Sequence, residues 1–318
     1  MINPPSGPAE PFPFRQVTVF APAKINLILR VLDRRADGYH NLWSIMHTVG
    51  LEDEIQIQPR HGDGEIHLNC DSADLADEHS NLVYRAAQAV LEQSSVRIGL
   101  DISLRKKIPM GAGLGGGSSD AAATIVGLNR LLHLGWSSRR MAEVGQRLGS
   151  DVPFFLFAPA AVVSGRGEAV HPIGMDGTQW AALVNPGFGV ETSWAYRELA
   201  TTRASVRPLT AAQSALPGRP RVAWQEVVSA AENDFEPPVF AKHPILQAIK
   251  RTLTEAGAQV ALLSGSGATV FGLFSSENQA REAAAQFSGE KCFKTFVVST
   301  CSAPLALQLS ATGASPLG

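Results

Sequence analysis

Cysteine is scarce in this sequence of 318 residues. Its three cysteines, Cys70, Cys292 and Cys301, are too few and too widely spaced for a disulfide framework or for a metal site of the C-x-x-C type. Scarce and scattered cysteine is typical of proteins in a reducing compartment. We therefore expect a cytoplasmic protein.

Runs of one charge and long apolar segments are also missing. The chain has 27 basic and 29 acidic residues and no dense basic run, so we expect no nucleic-acid partner. The longest apolar run, Val152 to Val163, is interrupted by Pro153 and Pro159 and is shorter than the roughly 20 residues that span a bilayer. The proline-rich start, Met1 to Phe14, lacks the pattern of a signal peptide. These absences predict an intracellular protein without a membrane partner.

The composition is that of a globular protein with a large core. Hydrophobic residues make up 45% of the chain, which is about twice as long as one domain of roughly 150 residues. Strand patterns dominate the first part, and strands are mixed with helices later, which favours an α+β fold in two lobes. We expect a flexible arm over 1–13, an N-terminal domain over 14–175, a C-terminal domain over 176–308 and a flexible tail over 309–318.

Local patterns predict several individual elements. Alternating residues in Glu54–Gln58 and Glu65–Asn69, joined by His61-Gly62-Asp63-Gly64, predict a hairpin. Apolar spacing predicts a helix over Asn81–Glu92. The stretch Thr201–Arg221 is rich in proline and predicts a loop or linker. Two further segments predict a helix over Pro244–Glu255 and a strand over Lys294–Ser299.

The strongest signal is a glycine-rich loop that leads into a helix. Five of the seven residues from Gly111 to Gly117 are glycine, which excludes a helix there and disfavours a strand. The next segment, Ser118–Leu134, has a helical pattern, with Ser118 or Ser119 as the expected N-cap. Backbone N–H groups beside the positive end of a helix dipole bind phosphate. The candidate phosphate-binding residues are Pro109, Met110, Gly111, Ala112, Gly113, Leu114, Gly115, Gly116, Gly117, Ser118 and Ser119.

Other glycine-rich phosphate loops fit this stretch less well. It matches G-x-G-x-x-G, but Leu131–Trp136 contains no acidic residue where a dinucleotide site requires one. The chain has no Gly-Lys pair for a Walker A loop, and no H-R-D or D-F-G motif of protein kinases. A surface loop without a ligand is the simpler alternative. It is disfavoured because the glycine run enters an alanine-rich helix directly.

Two charged residues stand beside apolar segments. Lys24 lies in a strand pattern on the same face as Asn26, either buried beside an anion or exposed at a sheet edge. Asp151 precedes Val-Pro, where a turn or a helix cap is the simpler explanation. The cluster Ser264–Thr269 lies between two strand patterns and is either a hairpin or a second approach to phosphate. The residues alone leave these alternatives open.

Taken together, these segments resemble the GHMP small-molecule kinases, whose three motifs occur here in order between about Val17 and Cys301. Four segments narrow the resemblance to the family of 4-diphosphocytidyl-2-C-methyl-D-erythritol kinases, which act in non-mevalonate isoprenoid biosynthesis. They are Ala21–Leu27, Ala36–Leu42, Gly115–Ala122 and Gly149–Phe155. The resemblance implies a two-lobed α+β fold with mixed and antiparallel sheets and an active site in the cleft between the lobes.

The resemblance also implies a reaction and a role for each segment. ATP with Mg²⁺ would phosphorylate the 2-hydroxyl group of a small-molecule substrate, with ATP bound by the N-terminal domain and the substrate by the C-terminal domain. The glycine loop would bind the ATP phosphates. Asp151 would take the hydroxyl proton, and Lys24 would stabilise charge beside it. The implied substrate-binding residues are Asn26, Tyr39, His40 and Asp234. Metal ligands stay open, as does the choice between a monomer and a homodimer.

Two alternatives compete with this interpretation. Another GHMP kinase would act on homoserine, mevalonate or a sugar, whereas the neighbouring rings of Tyr39 and His40 suit a nucleotide-tagged substrate. A catalytically silent nucleotide-binding module would have no need of both Lys24 and Asp151.

Overall fold

The computed structural model describes residues 14–60, 64–72, 78–303 and 305–311. The strands of this part of the chain are β1 (Phe14–Arg34), β2 (His40–Arg60), β3 (Ile66–Cys70), β4 (Gly99–Arg105), β5 (Ala160–Gly165), β6 (Ala169–Pro172), β7 (Trp180–Asn185), β8 (Glu232–Asn233), β9 (Val260–Leu263), β10 (Val270–Phe274), β11 (Lys294–Ser299) and β12 (Ala306–Ala311). The helices are α1 (Leu82–Ser94), α2 (Gly116–Leu131), α3 (Ser138–Gly145), α4 (Val152–Phe157), α5 (Thr192–Thr202), α6 (Ala211–Ala215), α7 (Trp224–Ser229), α8 (Glu236–Lys242), α9 (Pro244–Glu255) and α10 (Glu277–Ala285). None of these helices is long and apolar enough to cross a membrane.

The first sheet is organised around the long antiparallel pair β1 and β2. Its strand order is β12-β1-β2-β4-β3, with β5 and β6 continuing from β2 and β8 pairing with β1. The register between β1 and β2 shifts three times, after Pro22, after Asn26 and after Val31. Because such bulges bend a strand and change the direction of its side chains, the first two set the direction of the intervening Lys24.

The second sheet has the strand order β11-β7-β10-β9 and is antiparallel throughout. Helices α5, α8, α9 and α10 pack on it through one apolar cluster. In α9, Leu246, Ile249 and Leu253 are buried, at the spacing that puts them on one helix face. This repeat explains why the sequence predicts α9 with its observed bounds, Pro244–Glu255.

The last described strand returns the chain to the first sheet. β12 pairs antiparallel with β1, in a segment that alternates Leu-Gln-Leu-Ser. Residues 309–311 therefore lie in a strand, which corrects the predicted start of the flexible tail. The predicted arm over 1–13 and the remaining tail residues, 312–318, lie outside the described residues.

Predictions with a strong local signal are confirmed. The predicted helix over Asn81–Glu92 is α1, whose N-cap Asn81 accepts a hydrogen bond from the Val83 N–H at 2.9 Å. The predicted strand Lys294–Ser299 is β11. The mixture of two sheets with helices packed on them confirms the α+β class.

Two local predictions are wrong. β2 and β3 do not form a hairpin, because β4 lies between them, antiparallel to β2 and parallel to β3. The stretch Thr201–Arg221 is not a continuous linker, because it contains α6. A capping box between Thr210 and Gln213 stabilises this short helix.

Candidate active site

A cavity of about 470 Å³ brings most of the predicted site residues together. Its walls come from the glycine loop, β1, the residue before α4, α5 and the loop between β9 and β10. The predicted residues that line it are Lys24, Asn26, Asp151 and the loop from Pro109 to Ser118. The described lining does not include Ser119, Tyr39, His40 or Asp234.

The glycine loop between β4 and α2 is built around three residues in the left-handed region. Gly111, Gly113 and Gly115 have φ values of 60°, 78° and 71°, which glycine adopts without strain. A Cβ on Gly113 would lie 2.0 Å from the carbonyl oxygen of Ser264, so only glycine fits there. Gly115 is the N-cap of α2, which corrects the predicted serine cap. The helix therefore begins after a residue with a left-handed backbone, and no serine hydroxyl caps it.

The loop Ser264–Thr269 packs directly on the glycine loop. The Ser264 hydroxyl donates to the Gly113 carbonyl at 2.9 Å, and the Thr269 N–H donates to the Ala112 carbonyl at 3.1 Å. Since β9 and β10 are antiparallel neighbours, the segment is a hairpin connection that also forms part of the cavity wall.

Lys24 is an almost fully buried cation, with 3% of its surface exposed. Its ammonium donates to Asn26 Oδ1 at 2.5 Å, and its backbone N–H donates to the Leu114 carbonyl at 2.9 Å. Burial lowers the pKa of Lys24, and the negative charge of Asp151 opposes that shift. Among the described residues, no carboxylate is in salt-bridge contact with Lys24, and a buried ammonium of this kind is well suited to an anionic ligand.

Asp151 stands at the start of α4, where it occupies the N-cap position without making a capping hydrogen bond. It lines the same cavity as Lys24, although no salt bridge joins the two among the described residues. Burial, together with the charge of Asp151, raises the pKa of Tyr196 to about 12. The carboxylate therefore faces a space shared with a buried cation and a phenol.

Aromatic rings form a wall beside this space. His40 stacks on Tyr196 with ring centroids 5.2 Å apart and planes 15° apart, and Tyr196 meets Phe235 edge to face. Burial lowers the pKa of His40, and Arg203 and Arg34 lower it further. Tyr39 is 59% exposed, with the Arg166 guanidinium 5.2 Å from its ring centre.

The sequence missed Tyr196 and Phe235, although both line the cavity. Tyr196 belongs to α5 and Phe235 precedes α8, so they are distant in sequence from the glycine loop. A lone ring in an amphipathic helix gives no pattern that distinguishes a ligand contact from core packing. The sequence carries no signal that could have found Tyr196.

Asp234 is engaged away from the cavity. Its carboxylate accepts the Val31 N–H at 2.8 Å and forms ion pairs with Arg30 and Arg207 at 3.4 and 3.1 Å. These contacts join β8 to the end of β1. The structure therefore gives Asp234 a place in an ion-pair network and does not bring it to the other predicted substrate-binding residues.

A buried charge cluster contributes Lys106 and Asp120 to the lining of the cavity. Lys106 bridges Asp53 and Asp120, and Asp53 also accepts the backbone N–H groups of Lys107 and Ile108. Burial alone would lower the pKa of Lys106, but Asp120 and Asp53 raise it. Burial raises the pKa of Asp120 to about 8, against the effect of Lys106. The cluster fixes both ends of the glycine loop to β2.

Within the part of the chain that the structure describes, three buried polar atoms of this region have no hydrogen-bond partner. They are Asn81 Nδ2, Ser119 Oγ and Asp120 Oδ1. Buried polar atoms in proteins are nearly always paired, so these atoms are free to pair with a water molecule, a ligand or an ion. Two of the three are oxygen atoms of the consecutive residues Ser119 and Asp120, and oxygen is the ligand type that Mg²⁺ prefers.

Comparison with known proteins agrees with this geometry. The family described as GHMP kinases N terminal domain matches residues 81–158, and GHMP kinases C terminal matches residues 223–292. A protein of Geobacter sulfurreducens, named 4-diphosphocytidyl-2-C-methyl-D-erythritol kinase, is 42% identical over 285 residues, which cover 89% of this chain and 99% of that protein. A protein of the same name from Heliobacterium modesticaldum is 43% identical, over 84% of this chain and 89% of its own length.

Solved structures show the same fold. A crystal structure of 4-(cytidine 5'-diphospho)-2C-methyl-D-erythritol kinase matches with a TM-score of 0.74 and 31% identity, covering 90% of this chain and all of that one. A homoserine kinase from Cytophaga hutchinsonii has a TM-score of 0.70 at 18% identity, covering 96% of this chain and 100% of its own. Because the homoserine kinase is only 18% identical to this chain, its similarity shows a shared fold alone.

Proposed function

Because the chain belongs to the family of 4-diphosphocytidyl-2-C-methyl-D-erythritol kinases, we propose that it transfers the γ-phosphoryl group of ATP to the 2-hydroxyl group of 4-diphosphocytidyl-2-C-methyl-D-erythritol. This reaction is a step of non-mevalonate isoprenoid biosynthesis. The observation that carries the proposal is the convergence of Lys24, Asp151 and the glycine loop on one cavity.

The glycine loop would bind the ATP phosphates through its backbone N–H groups and the positive end of α2. Left-handed glycines and contacts with the Ser264–Thr269 loop support its shape before ATP arrives. A preformed set of donors pays little reorganisation cost during the reaction.

Asp151 would orient the substrate hydroxyl and accept its proton as the oxygen attacks the γ-phosphorus. A new oxygen–phosphorus bond forms, the bond to the β,γ-bridging oxygen breaks, and ADP leaves with that electron pair. Lys24 would lie beside the developing negative charge, where a buried cation stabilises the transition state more than an exposed one. Positioning and charge neutralisation supply most of the catalysis in this class of reaction.

The substrate's cytosine would meet the aromatic wall beside the cavity. Stacking on the ring pair of His40 and Tyr196, with Tyr39 at the exposed edge, supports a site for a flat base. Asn26 would fix the polyol near Lys24. We leave Asp234 out of the substrate site because its carboxylate is held by two arginines.

The residues present also fit Mg²⁺. Ser119 Oγ and Asp120 Oδ1 are oxygen atoms without partners beside the glycine loop, and they would hold the ion together with ATP phosphates and water. Bound Mg²⁺ would supply charge neutralisation on the transferring phosphoryl group.

The domain division and the cellular setting complete the proposal. We assign ATP binding to residues 14–175 and substrate binding to residues 176–308, to which the first part would add Asn26, Tyr39 and His40, although β8 and β12 of the second part join the first sheet. A cytoplasmic setting is supported by the three free cysteines.

ADP release by the purified protein with Mg²⁺ and ATP tests this function. The acceptors are 4-diphosphocytidyl-2-C-methyl-D-erythritol, 2-C-methyl-D-erythritol 4-phosphate, homoserine, mevalonate and galactose. We expect kcat/KM for the cytidine-tagged acceptor to exceed that for each other acceptor at least about 100-fold. Preference for any untagged acceptor would contradict the assignment, and ATP binding without turnover would favour a nucleotide-binding module.

A further inference from the structure

Asn233, on β8, forms a junction between the two sheets. Its side-chain amide donates to the Leu263 carbonyl at 2.7 Å and to the Gly265 carbonyl at 2.8 Å. Its Oδ1 accepts the Phe235 N–H at 2.9 Å. The residue is only 5% exposed, and its β-bridge partner on β1 is Leu29. One buried amide therefore fixes the end of β9 and the start of the next loop to the first sheet.

A hydrogen-bonded chain continues from this junction to the buried cation of the cavity. The Gly265 N–H donates to Asn26 Oδ1 at 3.0 Å, and the same oxygen accepts the Lys24 ammonium at 2.5 Å. A 180° rotation of the Asn26 amide would break a hydrogen bond, because its Nδ2 donates to Ser44 Oγ at 2.9 Å. Asn26 Oδ1 is thus held between the Gly265 N–H and Lys24.

We propose that Asn233 is a positioning residue for Lys24, acting through Gly265 and Asn26. Asn233 fixes Gly265, Gly265 fixes Asn26, and Asn26 holds the Lys24 ammonium at the cavity. For its effect on rate, the inference rests on the proposed function, in which Lys24 stabilises the transition state. Asn233 does not line the cavity, but these hydrogen bonds make it part of the machinery for the chemical step.

The structure offers a closely matched control in Asn185. Asn185 is also buried, at 3% exposure, and its Oδ1 accepts the N–H two residues ahead, from Gly187, at 2.9 Å. Its Nδ2 donates to Thr269 Oγ1 at 3.1 Å, at the other end of the same loop. Asn185 thus makes the same kind of contact without a connection to Asn26. Loss of the Asn185 amide leaves two partner groups unpaired and loss of the Asn233 amide leaves three, so we expect both variants to lose stability and Asn233→Ala to lose more.

The first test compares Asn233→Ala with Asn185→Ala in steady-state kinetics. We expect Asn233→Ala to lower kcat about tenfold to fiftyfold, with KM for ATP and acceptor changed less than about threefold, because misplaced catalytic groups slow the chemical step. Asn185→Ala should also lower the melting temperature, by a smaller amount, and keep kcat within about twofold. A loss of kcat in Asn185→Ala as large as that in Asn233→Ala would reduce Asn233 to a structural role and overturn the proposal.

A double-mutant cycle with Lys24→Met tests whether the hydrogen bonds that start at Asn233 act through Lys24. If Asn233 acts through Lys24, Asn233→Ala will change the residual rate of Lys24→Met less than about twofold, because coupled residues are not additive. A full tenfold loss in that background would show a route that bypasses Lys24 and would contradict the inference. If Asn233→Ala fails to fold, Asn233→Ser, which keeps one hydrogen-bond donor, takes its place in both tests.

A readout without acceptor separates this inference from the proposed function. In protein labelled with ¹³C at the lysine Cε, the Lys24 resonance is assigned by its loss in Lys24→Met. We expect Asn233→Ala to shift that resonance and Asn185→Ala to leave it in place. An unshifted resonance overturns the positioning role. Failure of the wild-type protein to phosphorylate the acceptor overturns the function but not the positioning of Lys24.

Discussion

At the scale of single residues, His47 on β2 is a buried imidazole outside the proposed machinery. Its ring stacks on Trp224 with centroids 5.2 Å apart, and its Nδ1–H donates to the Thr48 carbonyl at 2.8 Å. Burial lowers the pKa of His47 from its usual 6.5 to about 4, against the effect of that hydrogen bond. Between about pH 4 and pH 6.5, the His47 imidazole is therefore neutral in the folded protein and protonated in the unfolded chain.

This difference predicts how stability depends on pH. The contribution of His47 is fully present above about pH 6.5 and is lost as pH falls towards 4, by up to about 1.4 kcal/mol for each pH unit. Urea unfolding from pH 7 to pH 4.5 should show a flatter decline for His47→Gln than for the wild type. The control is His171→Gln, at an exposed position on β6, which should keep the wild-type slope. Parallel wild-type and His47→Gln curves would contradict the assignment.

Neighbouring residues show how far sequence reasoning reaches at this scale. Lys24 and Asp151 are predicted from their motifs, and both line the cavity. In the segment Asn233-Asp234, the sequence predicts a substrate role for the charged residue, but the structure engages Asp234 with arginines and gives Asn233 the link to Gly265. A motif identifies the segment, whereas the direction of each side chain depends on the pairing of β8 with β1.

At the scale of elements, the glycine loop is defined by its backbone and by the room around it. A Cβ on Gly115 would lie 2.9 Å from Lys24 Cγ and 3.1 Å from Phe155 Cζ. Gly135 has a similar φ, 65°, and no atom of the described residues outside its own chain neighbours lies within 4 Å of a Cβ added there. An alanine at Gly135 would introduce backbone strain alone, whereas an alanine at Gly115 would introduce the same strain and also contact Lys24 and Phe155.

We predict that Gly115→Ala lowers kcat about tenfold to a hundredfold, because the added methyl displaces Lys24. Gly135→Ala should lose about 1–2 kcal/mol of unfolding free energy from left-handed strain alone and keep its kcat. Kinetics and thermal unfolding of both variants make the comparison. Wild-type activity in Gly115→Ala would mean that Lys24 does not need its present position.

Elements with strong local signals are the ones that the sequence predicts. α1 has its asparagine cap and α9 its apolar repeat, so local chemistry alone determines their type and place. The wrong hairpin between β2 and β3 has a different cause, because strand pairing depends on a third strand, β4, that lies later in the chain. The turn residues at 61–64 carry no information about a third strand that pairs between β2 and β3.

At the scale of the whole molecule, the site exists because distant segments meet. Lys24 comes from β1, Asp151 from the start of α4, and Tyr196 from α5 beside the second sheet. Contacts between the glycine loop and the Ser264–Thr269 loop bring the two parts of the chain together. Resemblance to a kinase family predicted this convergence, which residue spacing alone could not, because it depends on packing between the sheets.

The role of Asp151 as the base is tested by phosphoryl transfer in a single turnover of Asp151→Asn, with ATP affinity measured in parallel. We expect the transfer rate to the cytidine-tagged acceptor to fall about 10²- to 10⁴-fold, the usual contribution of a general base, while ATP binds as in the wild type. Asp176→Asn, at an exposed aspartate outside the cavity, should keep the wild-type rate. A rate near that of the wild type in Asp151→Asn, with intact ATP binding, would contradict the role of Asp151 as the base.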